Sequence, residues 1–327
     1  MLQYIISRIL SLALILVGVS ILVFLLIKLT PGDPVSLMLG EDATPAQVEN
    51  LNRLYGFDQA LHVQYWRWAS RAVQGDLGTS VRQRIPVTTL IWERMPATFE
   101  LTMWSLIIAV GLGIPLGVLA AVRRNSWFDI GSMSVALVGV AAPNFWVGLI
   151  LLSQIALHVA WLPIGGRGPA FSDAMASVFT QFDFTQLWHH FRHVLLPAVA
   201  LGTSIMAIIM RLTRSSLLEI LNTDYVRTAR AKGARGLTVV YKHALRNALL
   251  PVVTVVGVQF GSLLGGAIVI EAVFSWPGIG RLILNGISQR DFPVVQGSVL
   301  MFTAIFAVVN LLVDLSYGLI DPRIRYG

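Results

Sequence analysis

Long apolar runs alternate with polar stretches along most of this chain. Crossing about 30 Å of hydrocarbon at 1.5 Å per helical residue takes roughly 20 mostly apolar residues. Six segments serve: 9–29, 98–122, 133–161, 194–210, 249–273 and 296–319. The pattern predicts an all-α polytopic membrane protein with about six transmembrane helices. The first run follows Arg8 much as a signal peptide would. Its apolar stretch outlasts an ordinary signal core, however, and passes into Thr30-Pro31-Gly32-Asp33-Pro34 without a small-x-small cleavage site, so a retained span is expected.

Two polar segments break the series. Residues 31–96 mix acids and bases with Tyr65, Trp66 and Trp68 and contain Gly75-Asp76-Leu77-Gly78-Thr79-Ser80. This is too long for a plain linker and predicts a small extracytoplasmic subdomain able to meet a soluble partner, or a cap on the outer mouth. Residues 211–248 are basic and helix-patterned. Both belong to a single transmembrane domain, 1–327.

Composition agrees with the membrane reading: 55% of the 327 residues are hydrophobic and 13% charged, with a mean hydropathy of +0.72, where soluble domains carry about a quarter charged residues. The absence of cysteine excludes disulfides, thiolate metal sites and a Cys nucleophile. The net charge of +7 matters less than its placement. One set of loops and ends collects Arg8, Arg123, Arg124, eight basic residues from Arg211 to Arg246, Arg323 and Arg325, thirteen in all against four (Arg167, Arg192, Arg281, Arg290) in the other short loops. Basic residues resist translocation, which places both ends of the sequence in the cytoplasm.

Gly257, Gly261 and Gly265 form one stripe on the fifth span, and Gly113 with Gly117 a smaller one on the second. Such stripes let helices approach closely, within the chain or across a seam with a partner. Pro115 and Pro143 remove helix hydrogen bonds, and kinks are expected there.

The segment 211–248 reads as two short helices broken between Gly233 and Gly236. Asp224 suits the N-cap of Tyr225-Val226-Arg227-Thr228-Ala229-Arg230-Ala231-Lys232, Gly233 suits the left-handed position that ends it, and Thr238 suits the cap of a second helix toward Asn247. Small residues Thr228, Ala229 and Ala231 on one side, with Arg227, Arg230 and Lys232 around them, fit a groove on another protein and the transmission of a rigid-body push. Simple positive-inside bias or contact with anionic lipid is the alternative. Nucleic acid is disfavoured, because the segment is membrane-tethered and has no aromatic interleaving.

Asp224-Tyr225-Val226-Arg227-Thr228-Ala229-Arg230-Ala231-Lys232-Gly233, followed by His243-Ala244-Leu245-Arg246-Asn247-Ala248-Leu249-Leu250-Pro251, resembles the coupling-loop signature of ABC-type importer permeases of the dipeptide/oligopeptide/nickel branch. The likeness extends to Thr30-Pro31-Gly32-Asp33-Pro34, Gly75-Asp76-Leu77-Gly78, Arg211-Leu212-Thr213-Arg214-Ser215-Ser216, Phe274-Ser275-Trp276-Pro277-Gly278-Ile279-Gly280 and Asp321-Pro322-Arg323-Ile324-Arg325-Tyr326. It is nearest to the first permease subunit of dipeptide importers. One departure is visible: where the wider superfamily has Glu-Ala-Ala-x-x-x-Gly, this chain has Arg227, Thr228 and Ala229 before Gly233, and Leu-Pro is displaced to Leu250-Pro251.

With no Gly-Lys-Ser/Thr there is no P-loop to hold nucleotide. The resemblance implies that ATP and Mg are bound by two cytoplasmic ATPase subunits, and that a second homologous permease and an extracytoplasmic substrate-binding protein complete a complex in the bacterial inner membrane. On this reading the chain is a translocation subunit without catalytic residues or cofactor, moving dipeptides or short oligopeptides inward. Nickel or glutathione import in the same branch, or a non-transporting membrane scaffold, are the alternatives.

Ionisable groups inside spans are functional suspects. Glu271 is a candidate for lining or gating the translocation path or for a structural partnership, and Asp314 for pairing with a helix neighbour or for a place near the cytoplasmic surface; each is near a span end that water can reach. His189, His190 and His193 form a cluster for which interfacial or solvated histidines are expected ahead of a metal site. No Ser/His/Asp arrangement supports an enzyme.

Overall fold

The computed structural model describes residues 2–29, 44, 46, 49 and 58–320. The Thr30-to-Pro34 and Asp321-to-Tyr326 motifs, most of 31–57 and the side chain of Asp314 lie outside the described residues. Among those described, every regular element is helical, with one isolated bridge between Thr79 and Pro86. The chain divides into two compact units, residues 1–96 with 278–327 and residues 97–277.

The first unit contains α1 (Leu2–Leu29), α2 (Leu61–Val73), the start of α3 (Val87–Val122), α10 (Ile279–Ser288) and α11 (Phe292–Ile320). Its core joins Leu77, Val87, Leu90 and Ile91 to Ile279, Leu282, Ile283 and Val294. The Gly75-to-Ser80 motif ends α2 and folds a tight loop. Asp76 accepts a 2.9 Å bond from the Gly78 amide, and the Ser80 hydroxyl donates to Asp291 at 2.5 Å. Asp291 is 3% exposed, so its charge is held by this hydroxyl and by the Val81 and Arg82 amides, each at 3.2 Å. A buried carboxylate needs such donors to offset lost hydration.

The second unit holds the rest of α3, α4 (Trp127–Ala141), α5 (Asn144–Ile150) with a π-helical continuation Leu151–Ala156, α6 (Phe171–Gln181), α7 (Thr185–Leu221), α8 (Asp224–Ala231), a π-helical turn Val239–Ala244 and α9 (Leu245–Val273). Helix α7 packs against α4, α5, α6 and α9. The Gly113/Gly117 stripe is filled within the chain. A Cβ at Gly113 would lie 2.9 Å from the Met206 carbonyl oxygen, and one at Gly117 would lie 2.5 Å from that of Met210 and 2.7 Å from Thr213 Cβ. Side chains are missing because backbone takes their place. The other stripe differs: a Cβ at Gly265 would meet nothing within 4 Å.

Among the described residues four helices are long and apolar enough to cross a membrane, or six if two bent pairs each count as one span. The expected third span is broken. Pro143 cannot donate to a helix and pushes the preceding Ala142 to extended backbone (φ −75°, ψ 130°), so α4 stops at Ala141 and the next helix departs at 111°. The fifth bends by 50° next to Pro251, which leaves the Asn247 carbonyl without its helical donor. Pro115, where a kink was expected, does not interrupt α3.

The Phe274-to-Pro277 motif closes α9. Trp276, fully buried, donates from Nε1 to the Ala97 carbonyl at 2.8 Å, and its amide donates to the Glu271 carbonyl at 2.8 Å.

Candidate coupling segment and its buried supports

Residues 211–221 are not loop: they continue α7 to Leu221, and the polar connection begins at Asn222. Helix α8 starts one residue before its expected first turn. Thr223 occupies the cap position, but its hydroxyl donates back to the Ile220 carbonyl at 2.6 Å and caps nothing. Asp224 is therefore the first helical residue rather than the N-cap. Its carboxylate still lies at the positive end of the helix dipole, and it pairs with Arg227 at 3.3 Å on the exposed surface. At the other end, the amide of Gly233 donates to the Arg230 carbonyl at 2.9 Å and that of Ala234 to Ala229 at 3.2 Å. This paired closure needs left-handed backbone at Gly233, whose φ is +82°.

The helix faces the molecule with Val226, fully buried, and half-buried Ala229. Asp224, Arg227, Thr228 and Ala231 share the opposite, exposed face, and Arg230 and Lys232 are exposed as well. The expected grouping of Thr228, Ala229 and Ala231 on one side is thus corrected: Ala229 turns inward, because a 3.6-residue period places it beside Val226. Thr238 is corrected too. It is the last residue of a helical turn begun at Gly236, and the chain continues through the π-helical turn into α9 without a cap.

One side chain ties α8 to that turn. The Tyr225 hydroxyl donates to the His243 carbonyl at 3.3 Å and accepts from Asn247 Nδ2 at 2.9 Å. Beneath it, Val240 and Ala244 of the π turn and Ala248 of α9 join Leu217 of α7 and Val118 and Ala121 of α3 in one apolar cluster. The base on which α8 rests is therefore made from the ends of three long helices.

Two buried ion pairs hold those helices. Asp129 on α4 is 2% exposed; it accepts from Arg214 Nη2 of α7 at 2.7 Å and from the Asn125 amide at 2.9 Å, which gives the Arg211-to-Ser216 motif a structural role. On α3, Glu100 accepts from Arg167 through Nε at 2.9 Å and through Nη2, and from the Phe171 amide at 3.0 Å. His190 Nδ1 lies 2.9 Å from Glu100 Oε1 and 3.0 Å from the Pro169 carbonyl oxygen. Both neighbours accept, so Nδ1 carries the proton. Neither carboxylate was picked out from sequence, although Glu100 lies inside the second expected span, and that position was the signal available.

Glu271 is 0% exposed and accepts a 2.6 Å bond from the Thr98 hydroxyl. It is enclosed by helix packing, two residues before α9 ends at Val273. Of the three histidines, only His190 departs from the expected interfacial or solvated setting. His190 is buried against Trp104 and Phe171, while His189 accepts from Arg192 at 2.7 Å and His193 donates to the His189 carbonyl at 2.6 Å. Among the described residues no group of three or more His, Cys, Asp or Glu could hold a metal ion.

Comparison with known proteins agrees with this architecture. Residues 113–326 match the family described as binding-protein-dependent transport system inner membrane component, and residues 1–102 match the family of its N-terminal portion. The dipeptide transport system permease protein DppB of Alkalihalophilus pseudofirmus is 47% identical over the whole of both chains. The glutathione transport system permease proteins GsiC of Escherichia coli K12 and Salmonella paratyphi A are each 42% identical, again over the full length of both chains. The chain belongs to the inner-membrane permeases of binding-protein-dependent ABC importers, in their dipeptide branch.

Proposed function

We propose that this chain carries dipeptides or short oligopeptides into the cytoplasm, paired with a second homologous permease, driven by two cytoplasmic ATPase subunits that bind ATP and Mg, and supplied by an extracytoplasmic binding protein. The observation that carries the coupling part is α8 itself: a short helix with an exposed Asp224/Arg227/Thr228/Ala231 face, closed at Gly233, with Val226 buried, and packed against α7 and the π-helical turn. A displacement of α8 by a closing ATPase dimer is passed to α7 and to the π-helical turn, whose apolar cluster joins the ends of α3, α7 and α9, and the two sides of the membrane open in alternation. Tyr225, Ala229, Arg230 and Lys232 complete the coupling segment. The distribution of basic residues supports a cytoplasmic side for it and for both ends of the chain.

The peptide substrate is supported by the dipeptide relative. Glutathione is the second reading, favoured by the GsiC relatives, and it is itself a short peptide. Glu271 is proposed as a support beneath the path rather than a wall of it, because its full burial and its bond to Thr98 leave it no free face.

The test is reconstitution of the complete importer in vesicles. Dipeptide uptake that requires ATP, the binding protein and this chain is the expected result. Uptake of glutathione but not of dipeptides would move the substrate assignment to the second reading. Assembly with the ATPases without ATP-dependent uptake of either would favour the non-transporting scaffold. Glu271→Gln in the same vesicles is expected to lower yield more than uptake per molecule.

A further inference from the structure

Helix α2 lies within the polar segment 31–96, ahead of the start of α3, and its attachment to α1 fixes its depth. The Tyr65 hydroxyl and the Ser20 hydroxyl share a 2.8 Å hydrogen bond. Phe24 of α1 packs edge-on against Tyr65 at 5.5 Å between centroids and lies 6.2 Å from Trp68. Ser20 and Phe24 both lie inside the apolar window Ile6–Leu25 of α1. The next charged residue in the sequence is Lys28. At 1.5 Å per residue, the Ser20–Tyr65 bond lies about 12 Å along α1 before that charge and the Phe24 contact about 6 Å before it. Helix α2 is therefore held level with the edge of the hydrocarbon, not above it in water.

The sides of α2 match that position. With 100° per residue and Tyr65 facing α1, Trp66 and Val73 both fall roughly a quarter turn to one side, and Arg71 falls on the other, with Arg67 beside it. Trp66 is 73% exposed and Val73 89% exposed. Both arginines are exposed. An apolar flank carrying an indole, opposed by a basic one, is the arrangement of a helix lying in the headgroup layer. Away from the Ser20/Phe24 face that holds α2, α1 exposes Leu14, Leu22 and Leu25 within its apolar stretch.

We propose that α2 is an interfacial anchor, with Trp66 and Val73 entering the boundary between headgroups and acyl chains and with Arg67 and Arg71 at phospholipid phosphates. The occupant of the exposed apolar flank is lipid. The inference does not depend on which substrate is carried.

The chain has no cysteine, which makes single reporters direct. Trp66→Cys and Arg71→Cys, each labelled with an environment-sensitive fluorophore in the complete importer built with cysteine-free partner subunits, would be placed in phosphatidylcholine/phosphatidylglycerol vesicles. The label at 66 is expected to lose fluorescence to nitroxide-bearing lipid and to resist aqueous iodide. The label at 71 is expected to do the reverse, and neither should change when the binding protein is added. Iodide access at 66 that disappears with the binding protein would overturn the proposal in favour of a protein-docking face. Shielding of 66 from both quenchers would overturn it in favour of cover by the second permease. Val73→Cys, on the same flank, gives the same reading should the Trp66 variant assemble poorly.

Discussion

The seam between α3 and α7 and the seat of α8 join neighbouring parts of the same unit by different means. At the seam, Gly113 and Gly117 let backbone touch side chain and backbone, Gly202 of α7 approaches the Ser105 carbonyl in return, and ion pairs to α4 and to the segment before α6 are buried alongside. At the seat, one buried valine, an apolar patch and one tyrosine hydroxyl hold a helix whose outer face is open. Contacts without space have no alternative arrangement close in energy, so the seam can only move as a body. A helix held by a few replaceable contacts transmits force only while those contacts persist. The contrast predicts that damage to the seam removes the protein, whereas damage to the seat removes coupling from a protein that remains.

The largest expected effect is loss of Arg214. Arg214→Ala leaves the Asp129 carboxylate with the Asn125 amide as its remaining hydrogen-bond donor, and because Arg214 is itself 24% exposed the cost falls toward or below the low end of the about 3–5 kcal/mol of a fully buried pair. The expected outcome is a steep fall in the amount of folded permease in membranes, with uptake falling in proportion. Normal yield with lost uptake would instead make the Asp129–Arg214 pair part of the moving machinery. Gly117→Val comes next. Its Cβ would stand 2.5 Å from the Met210 carbonyl oxygen, and overpacking costs about 1–3 kcal/mol. A lowered melting temperature in detergent is expected, with uptake per folded molecule unchanged; a melting temperature equal to the parent's would mean that the seam is looser than its geometry.

How much of this contrast is legible in the sequence differs between the two regions. The Gly113/Gly117 spacing reveals a close-packed face, but not that α7 fills it, since period identifies a side and not a neighbour. Hydropathy finds the spans and misplaces their ends. It starts the second at 98 and ends the fourth at 210, whereas α3 begins at Val87 and α7 reaches Leu221, because helical hydrogen bonding continues into polar sequence beyond the hydrocarbon. The same blindness turned 211–221 into loop. Pro143 was readable as a kink, yet the 111° break comes from Ala142 being forced extended as well. In α8, Gly233 was readable because a left-handed closure demands little more than glycine in the right place. Asp224 was not, because Thr223 took the cap geometry while its hydroxyl turned back to Ile220. Tyr225 is 18 residues from His243 and 22 from Asn247, and no local period joins it to them.

Gly233→Val carries the comparison to the seat. A β-branched residue at φ +82° is disfavoured by about 1–2 kcal/mol, enough to open the end of α8 but spread over an exposed segment. Yield and complex assembly are expected to stay near the parent's while peptide uptake per ATP hydrolysed falls several-fold. Uptake per ATP at the parental value in a well-expressed variant would remove the glycine from the coupling role.

The smallest perturbation separates the regions most sharply. Tyr225→Phe deletes one oxygen and leaves the ring, so its cost to folding is that of a part-exposed hydrogen-bond pair, about 1 kcal/mol. In the seam such a loss would be absorbed. In the seat it removes the Tyr225 links from α8 to the π-helical turn and to the base of α9, and the helix is left to slide on Val226. Uptake per ATP is expected to fall while binding-protein-stimulated hydrolysis persists. Asn247→Ala should reproduce part of the defect, and the double variant should be no worse than Tyr225→Phe alone, because Tyr225→Phe already removes the bond that Asn247 makes. Additive losses would mean that Tyr225 and Asn247 act through separate contacts, and the seat would then resist motion by packing, as the seam does.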